Sequence, residues 1–249
     1  MDLIVLGAIA GVFPVFLGLL IAWWVGKILP RAWEGFLVGL ATGVLVYLFF
    51  DLMHEATELT GVADPGSWGV FLGSLFAGFM GLVLLEGSQV FGNGAFHRLL
   101  SLPYMIAIGM GLHNFGEGLA IGASYGKGEW SLSALLVAGF ALHNGTEGFG
   151  IVGSAGKSRL SLTDLLLLGV LAGGPTCLGA LISGQATSPY LSLGCYTLAA
   201  GSLLYVIVAL VSLSYTPTRR AQVAFGIFLG ITLMFATAML LTFGGRPAS

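Results

Sequence analysis

The stretch HNFGEGLAIG at 113–122 recurs in altered form thirty positions later as HNGTEGFGIV at 143–152. Each copy begins His-Asn and carries a Glu four residues after the His. Positions i and i+4 share one face of a helix, so His113 pairs with Glu117 and His143 with Glu147. Two imidazoles and two carboxylates on neighbouring helices suit a divalent cation, because repeated His and Glu at this spacing is ligand spacing. Imidazole with carboxylate favours borderline metals such as Zn, Cd, Mn, Fe(II) and Co over Ca or Mg. Asn114 and Asn144 lie about 100° round each helix from their His, and either ligate or orient a ligand. The competing reading is a set of protonated carboxylates hydrogen-bonded to adjacent helices.

The elements that position these residues are apolar. The chain of 249 residues is 57% hydrophobic and 8% charged, against about 25% charged in soluble domains. That excludes an ordinary soluble fold and points to a polytopic all-α membrane protein of one transmembrane domain, 1–249. Eight windows of spanning length are expected at about 3–25, 33–57, 68–91, 102–125, 132–155, 162–183, 190–213 and 221–243. Turn formers separate them, including Leu29-Pro30, Asp64-Pro65-Gly66, Gly92-Asn93-Gly94 and Thr216-Pro217. The first window opens Met-Asp, without the basic region of a cleavable signal. With the N-terminus outside, Lys27, Arg31, Arg98, Lys157, Arg159, Arg219 and Arg220 fall on the cytoplasmic side and only Lys127 and Arg246 outside. This asymmetry predicts both termini outside. Trp33, Trp68, Tyr104 and Trp130 read as interfacial anchors. Cys177 and Cys195 lie in apolar runs and predict no disulfide framework. No basic run or Walker motif points to nucleic acid or nucleotide.

A charge near the centre of a bilayer costs about 2.5–3.5 kcal/mol on the gentlest scale. The span interiors hold no Lys or Arg; their ionisable residues are Asp51, His54, Glu55, Glu86, His113, Glu117, His143 and Glu147. Acceptors without cations of their own suit a cation from outside. In DLMHEATEL at 51–59, Asp51 and Glu55 share one face, as do His54 and Glu58. This is either a funnel for cations or a solvated helix end. Glu86, with Gln89 nearby, either lines the pathway or packs, and His97 beside Arg98 reads as surface. Glycines spaced by four (7/11, 35/39/43, 69/73, 118/122, 169/173, 226/230) fit close helix contact; a sliding surface would have the same signature.

At these residues the chain resembles the ZIP (Zrt-, Irt-like) family of divalent-metal transporters, most closely its compact GufA-like prokaryotic branch. The specific likeness lies in 113–118 and 143–148, which correspond to the family's HNxPEG-type motifs on helices four and five. The resemblance implies a ZIP-like bundle of eight spans and metal uptake toward the cytoplasm through a binuclear-type site between helices four, five and six. His113, Glu117, His143 and Glu147 would form the primary site; Asn114 and Asn144 would serve a secondary one that shares both Glu. It further implies that helices one, four, five and six move as a block, and that a homodimer is one expected assembly. Two departures stand out. Gly116 and Thr146 replace the prolines; the glycine permits a bend, and the threonine can hydrogen-bond back to its helix. The sixth helix, LAGGPTCLGALISG at 171–184, lacks the carboxylate many relatives carry. Gly173-Gly174-Pro175 is expected to break that helix, with freed carbonyls, Thr176 or Cys177 filling the position.

The functional expectation is a transporter, not an enzyme, in the cell (plasma or inner) membrane, with zinc as the leading cargo and no catalytic cofactor. The alternative is an intramembrane metal-dependent hydrolase. That class usually needs an open metal position and a general base, and the chain has no HExxH.

Overall fold

The computed structural model describes residues 2–28, 33–60, 64–87, 101–155, 160–183 and 188–244. These residues form eight long helices and no strand: α1 (Leu3–Ile28), α2 (Glu34–Leu59), α3 (Pro65–Gly87), α4 (Leu102–Gly126), α5 (Trp130–Ser154), α6 (Leu162–Ser183), α7 (Pro189–Ser214) and α8 (Arg220–Gly244). Local chemistry sets several starts. Asp2 caps α1 by accepting from the Ile4 N–H at 3.2 Å, and Ser188 caps α7, with Pro189 in the first helical position. Ser161 and Asp164 form a reciprocal box at the start of α6: the Asp164 N–H reaches Ser161 Oγ at 3.2 Å, and Asp164 Oδ2 accepts from the Ser161 N–H at 2.8 Å. Gly128, with φ +77°, turns the chain between α4 and α5.

Among the described residues, six helices are long and apolar enough to cross a membrane. The remaining two, α4 and α5, are those that carry the His-Asn-Glu motifs. Leu72, Phe76, Leu84, Val170, Phe225 and Phe228 are exposed on the exterior, while Met105, Ile106, Met110, Ile151, Leu168 and Leu203 pack inside. Apolar side chains on both faces are compatible with a multi-pass membrane protein.

Glycine contacts give the topology. In α1 and α5, Gly18 meets Gly145 and Gly148; in α4 and α6, Gly111 meets Leu171, Gly118 meets Thr176 and Gly122 meets Ala180. Residue numbers rise together in α4 and α6, as they do where Gly39 and Gly43 of α2 meet Val223 and Ile227 of α8. They run oppositely where Gly7 and Gly11 of α1 meet Cys177 and Gly173 of α6, and where Val38 and Ala41 of α2 meet Gly153 and Gly150 of α5. Successive helices therefore alternate in direction. The glycine seams join α1, α4, α5 and α6 into one group, and pair α2 with α8 and α3 with α7.

The helices match the expected windows with three differences. The third begins at Pro65 and is described to Gly87, so its start lies earlier than expected. The sixth is not broken: α6 continues through Gly173-Gly174-Pro175 to Ser183. It stays helical while packed on both sides, with Gly173 against Val12 and the Pro175 ring against Gly111. The first contains a π turn over Ala8–Val12, which spacing alone did not signal. Arg31, Gln89, His97, Arg98, Lys157, Arg159, Arg246 and the turns at Leu29-Pro30 and Gly92-Asn93-Gly94 lie outside the described residues.

Candidate metal centre

The site sits where α4 and α5 pass each other between α1 and α6. Small residues make this approach possible: a Cβ at Gly118 would fall 2.1 Å from Thr176 O, and one at Gly148 would fall 2.2 Å from the Gly18 carbonyl carbon. His113, Asn114, Glu117, His143, Asn144 and Glu147 are all buried. Among the described residues, His113, Glu117 and His143 offer ligand atoms that lie within 4.8 Å of one another. Glu117 Oε1 is the common point. It lies 3.0 Å from His113 Nε2 and contacts His143 Nε2 closely. The His113 nitrogen is near but not aligned for a hydrogen bond, and both of its ring nitrogens lack hydrogen-bond partners. The two imidazoles stand 6.0 Å apart at 41°.

The asparagines cross-link the arrangement. Asn114 of α4 donates through Nδ2 to Glu147 Oε2 of α5 at 3.0 Å and to Ala172 O of α6 at 3.1 Å. Asn144 of α5 donates through Nδ2 to Glu117 Oε2 of α4 at 2.9 Å and to Ala10 O of α1 at 3.0 Å. Each amide faces two acceptors, which fixes which end is nitrogen. Each Oδ1 is therefore turned away from those acceptors.

Asn114 Oδ1, Asn144 Oδ1, Glu147 Oε1 and Thr176 Oγ1 are buried and have no hydrogen-bond partner within the chain. An unsatisfied buried polar group costs about 1–3 kcal/mol. The nitrogen and carboxylate atoms of His113, Glu117 and His143 form a donor set that fits a cation, and the unpartnered oxygens belong to α4, α5 and α6, the first two of which carry that set.

The remaining expected residues divide. Glu147 is buried but does not join the three-residue cluster; Asn114 holds it alongside. Thr176 lies fully buried against Gly11 of α1. Cys177 is half-buried and points its Sγ to Ile4 O of α1 at 3.6 Å, outside the cluster. Thr146 does hydrogen-bond back, to His143 O at 2.7 Å. Asp51, His54, Glu55 and Glu86 are exposed. The register of α2 on α5 puts Asp51 about level with residue 140, roughly one turn from His143. Its carboxylate interacts electrostatically with His143, His113, His54 and Glu117. Glu55 faces Tyr196 and Glu86 faces Tyr205, both on α7.

Two contributors escaped the reading by side-chain type: the carbonyls of Ala10 and Ala172. Pro14, inside the first apolar run, was the available signal for the former. Tyr104, expected as an interfacial anchor, is instead buried, and its Oη donates to Asp164 Oδ1 at 2.8 Å and ties α4 to α6. No protein-family model matches the chain, and no curated protein matches it.

Proposed function

We propose that the chain is a multi-pass membrane transporter of the ZIP type, carrying a divalent transition metal, with zinc as the leading cargo, toward the cytoplasm. One observation carries this reading: Glu117 Oε1 gathers His113 and His143 into a buried cluster of ligand atoms. A nitrogen-rich, carboxylate-containing set of this kind suits a borderline metal, and its burial between helices suits a site from which cargo is passed on. In this reading all eight helices span the cell membrane, both termini lie outside, and α4 and α5 fall short in hydropathy because they carry the cargo ligands. The basic residues support that orientation. Metal would approach along α2, past Glu55 and then Asp51, whose charge acts on the imidazoles. His113, His143 and Glu117 would hold it, and Glu147, steadied by Asn114, would receive or share it.

Ligation needs deprotonated groups, so binding weakens as protons compete for Glu117 or Glu147. The test is uptake into proteoliposomes of Zn, Cd, Mn, Fe(II) and Co by wild type, Glu117→Ala and Glu147→Ala. Wild type is expected to carry a subset of these ions and lose activity as the outside pH falls. Glu117→Ala is expected to lower uptake at least a hundredfold. Wild-type protein that moves none of the five ions would refute the proposal.

A further inference from the structure

Proline has no N–H, so a helix that contains it leaves the carbonyl four residues earlier without its donor. For Pro14 that carbonyl belongs to Ala10. Just before it, α1 opens into the π turn over Ala8–Val12, where the Phe13 N–H reaches back to Ala8 O. The Ala10 carbonyl, without its α-helical donor, accepts the Asn144 amide at 3.0 Å. Ala10 is fully buried, so no solvent offers a substitute.

The consequence reaches the metal ligands. Asn144 Nδ2 has two hydrogens and two acceptors, Ala10 O on α1 and Glu117 Oε2 on α4. With both hydrogens committed, the amide plane is fixed, Glu117 Oε2 is held, and Oε1 is the oxygen left to face both imidazoles. We infer that Pro14 is a positioning residue of this centre: by freeing the Ala10 carbonyl it anchors Asn144, and through Asn144 it sets the orientation of Glu117. This inference rests on the metal-site reading above. The other mid-helix proline provides a contrast. Pro175 removes the donor of Leu171 O, and that oxygen packs against Gly111, where a Cβ would fall 2.2 Å away. It reaches no ligand.

The test is a double-substitution cycle on the full chain. Pro14→Ala restores an N–H that competes for Ala10 O and releases Asn144. Groups that orient metal ligands typically contribute about 10–100-fold in affinity. Zn affinity is therefore expected to fall about tenfold or more in Pro14→Ala and in Asn144→Ala. If one acts through the other, Pro14→Ala/Asn144→Ala loses no more than the larger single effect. The visible absorption of the Co(II)-loaded protein should change in the same sense in both single variants. Pro175→Ala should leave affinity within about twofold and the spectrum unaltered. Wild-type affinity and spectrum in Pro14→Ala, or losses that multiply in the double variant, would overturn the inference. Removing a mid-helix proline is not expected to prevent folding; if it does, Pro14→Gly restores the same N–H and repeats the test. The thermal midpoints of the metal-free cycle give an independent answer. A wild type that binds no metal would remove the transporter reading, while additive or coupled midpoints would still decide whether Pro14 and Asn144 act together.

Discussion

The seams inside the helix groups and the seams between them are built differently. Inside the site-bearing group, glycines mostly let backbone touch backbone, with Gly169 against the Phe16 ring and Gly11 against the Thr176 side chain as exceptions. A Cβ at Gly118 would stand 2.1 Å from Thr176 O, one at Gly111 2.2 Å from Leu171 O, and one at Gly179 2.2 Å from Phe115 O. Between this group and the rest, the glycines face side chains instead. Gly109 meets Val206 Cγ2 and Gly153 meets Val38 Cγ2, while Gly150 meets Leu210 Cδ1 and Ala41 Cβ beyond its nearest neighbour, Met110 Cε. A backbone seam has one register, because the carbonyls and amides that form it cannot rotate away. A side-chain seam can repack. All the buried metal-centre residues, and the two carbonyls that anchor the asparagines, belong to α1, α4, α5 and α6. Any displacement along the softer seam would therefore carry the residues of the candidate site as one unit.

The comparison can be broken by adding single methyl groups. Gly118→Ala is expected to have the largest effect, since Thr176 O and Ala180 N cannot rotate away from the new Cβ. Overpacking typically costs about 1–3 kcal/mol, and an unyielding backbone puts this case at or beyond the upper end. A fall in the thermal midpoint and loss of metal binding together would register it. Gly150→Ala adds the same methyl against Met110 Cε at 3.2 Å and Leu210 Cδ1 at 3.4 Å, both ends of flexible side chains. Its expected cost is below about 1 kcal/mol, with metal affinity intact. Equal destabilisation by the two variants would erase the distinction between the seams.

A third glycine sharpens the scale. A Cβ at Gly73 of α3 would meet nothing within 4 Å. Gly73→Ala should be neutral or raise stability by about 0.5 kcal/mol, because alanine restricts the helix less unfavourably than glycine. The glycine pair 69/73 thus shares its spacing with 118/122 but not its role within the chain. A clear destabilisation by Gly73→Ala in detergent would mean that this face is covered after all.

That pair also marks what the sequence could and could not say. Helix number, type and approximate bounds were legible, because spanning windows and turn residues are local signals. So was the pairing of His113 with Glu117 at i, i+4, but not that of His143 with Glu147, since His143 contacts Glu117 across the helices instead. Which glycines seal a helix contact was not, since spacing is identical at 69/73 and 118/122 and only the neighbour differs. The same limit explains the proline near the centre. Gly173-Gly174-Pro175 looks like a breaker, yet Val12 and Gly111 pack around it and α6 continues. Pro14 looks unremarkable in an apolar run, yet it frees the carbonyl that Asn144 uses. Glu147 was expected beside Glu117 on equal terms. The crossed asparagines separate their duties, since Asn144 turns Glu117 toward the imidazoles while Asn114 holds Glu147 beside them.

The smallest expected effect tests a seam at the end of the molecule, where polar groups replace glycine. Asp64 caps α3 by accepting from the Gly66 N–H at 2.9 Å, and its second oxygen accepts from Tyr190 Oη of α7 at 2.5 Å. The Tyr190 hydroxyl, with help from the Gly66 and Ser67 backbone, holds the Asp64 carboxyl below its ordinary range. A carboxylate with a depressed folded-state pKa adds stability above its unfolded value, about 3.9, and that contribution is lost as pH falls through the folded value. Tyr190→Phe keeps the cap but removes the outer hydrogen bond. The carboxyl should titrate closer to its ordinary range, so the stability it contributes above its unfolded value shrinks, and variant and wild type converge as pH falls through the folded value. A carbon-detected NMR titration of Asp64 measures this directly. An unshifted titration would mean that the α3–α7 pair is held by its glycine contacts at Gly78 and Gly201 without help from this bond.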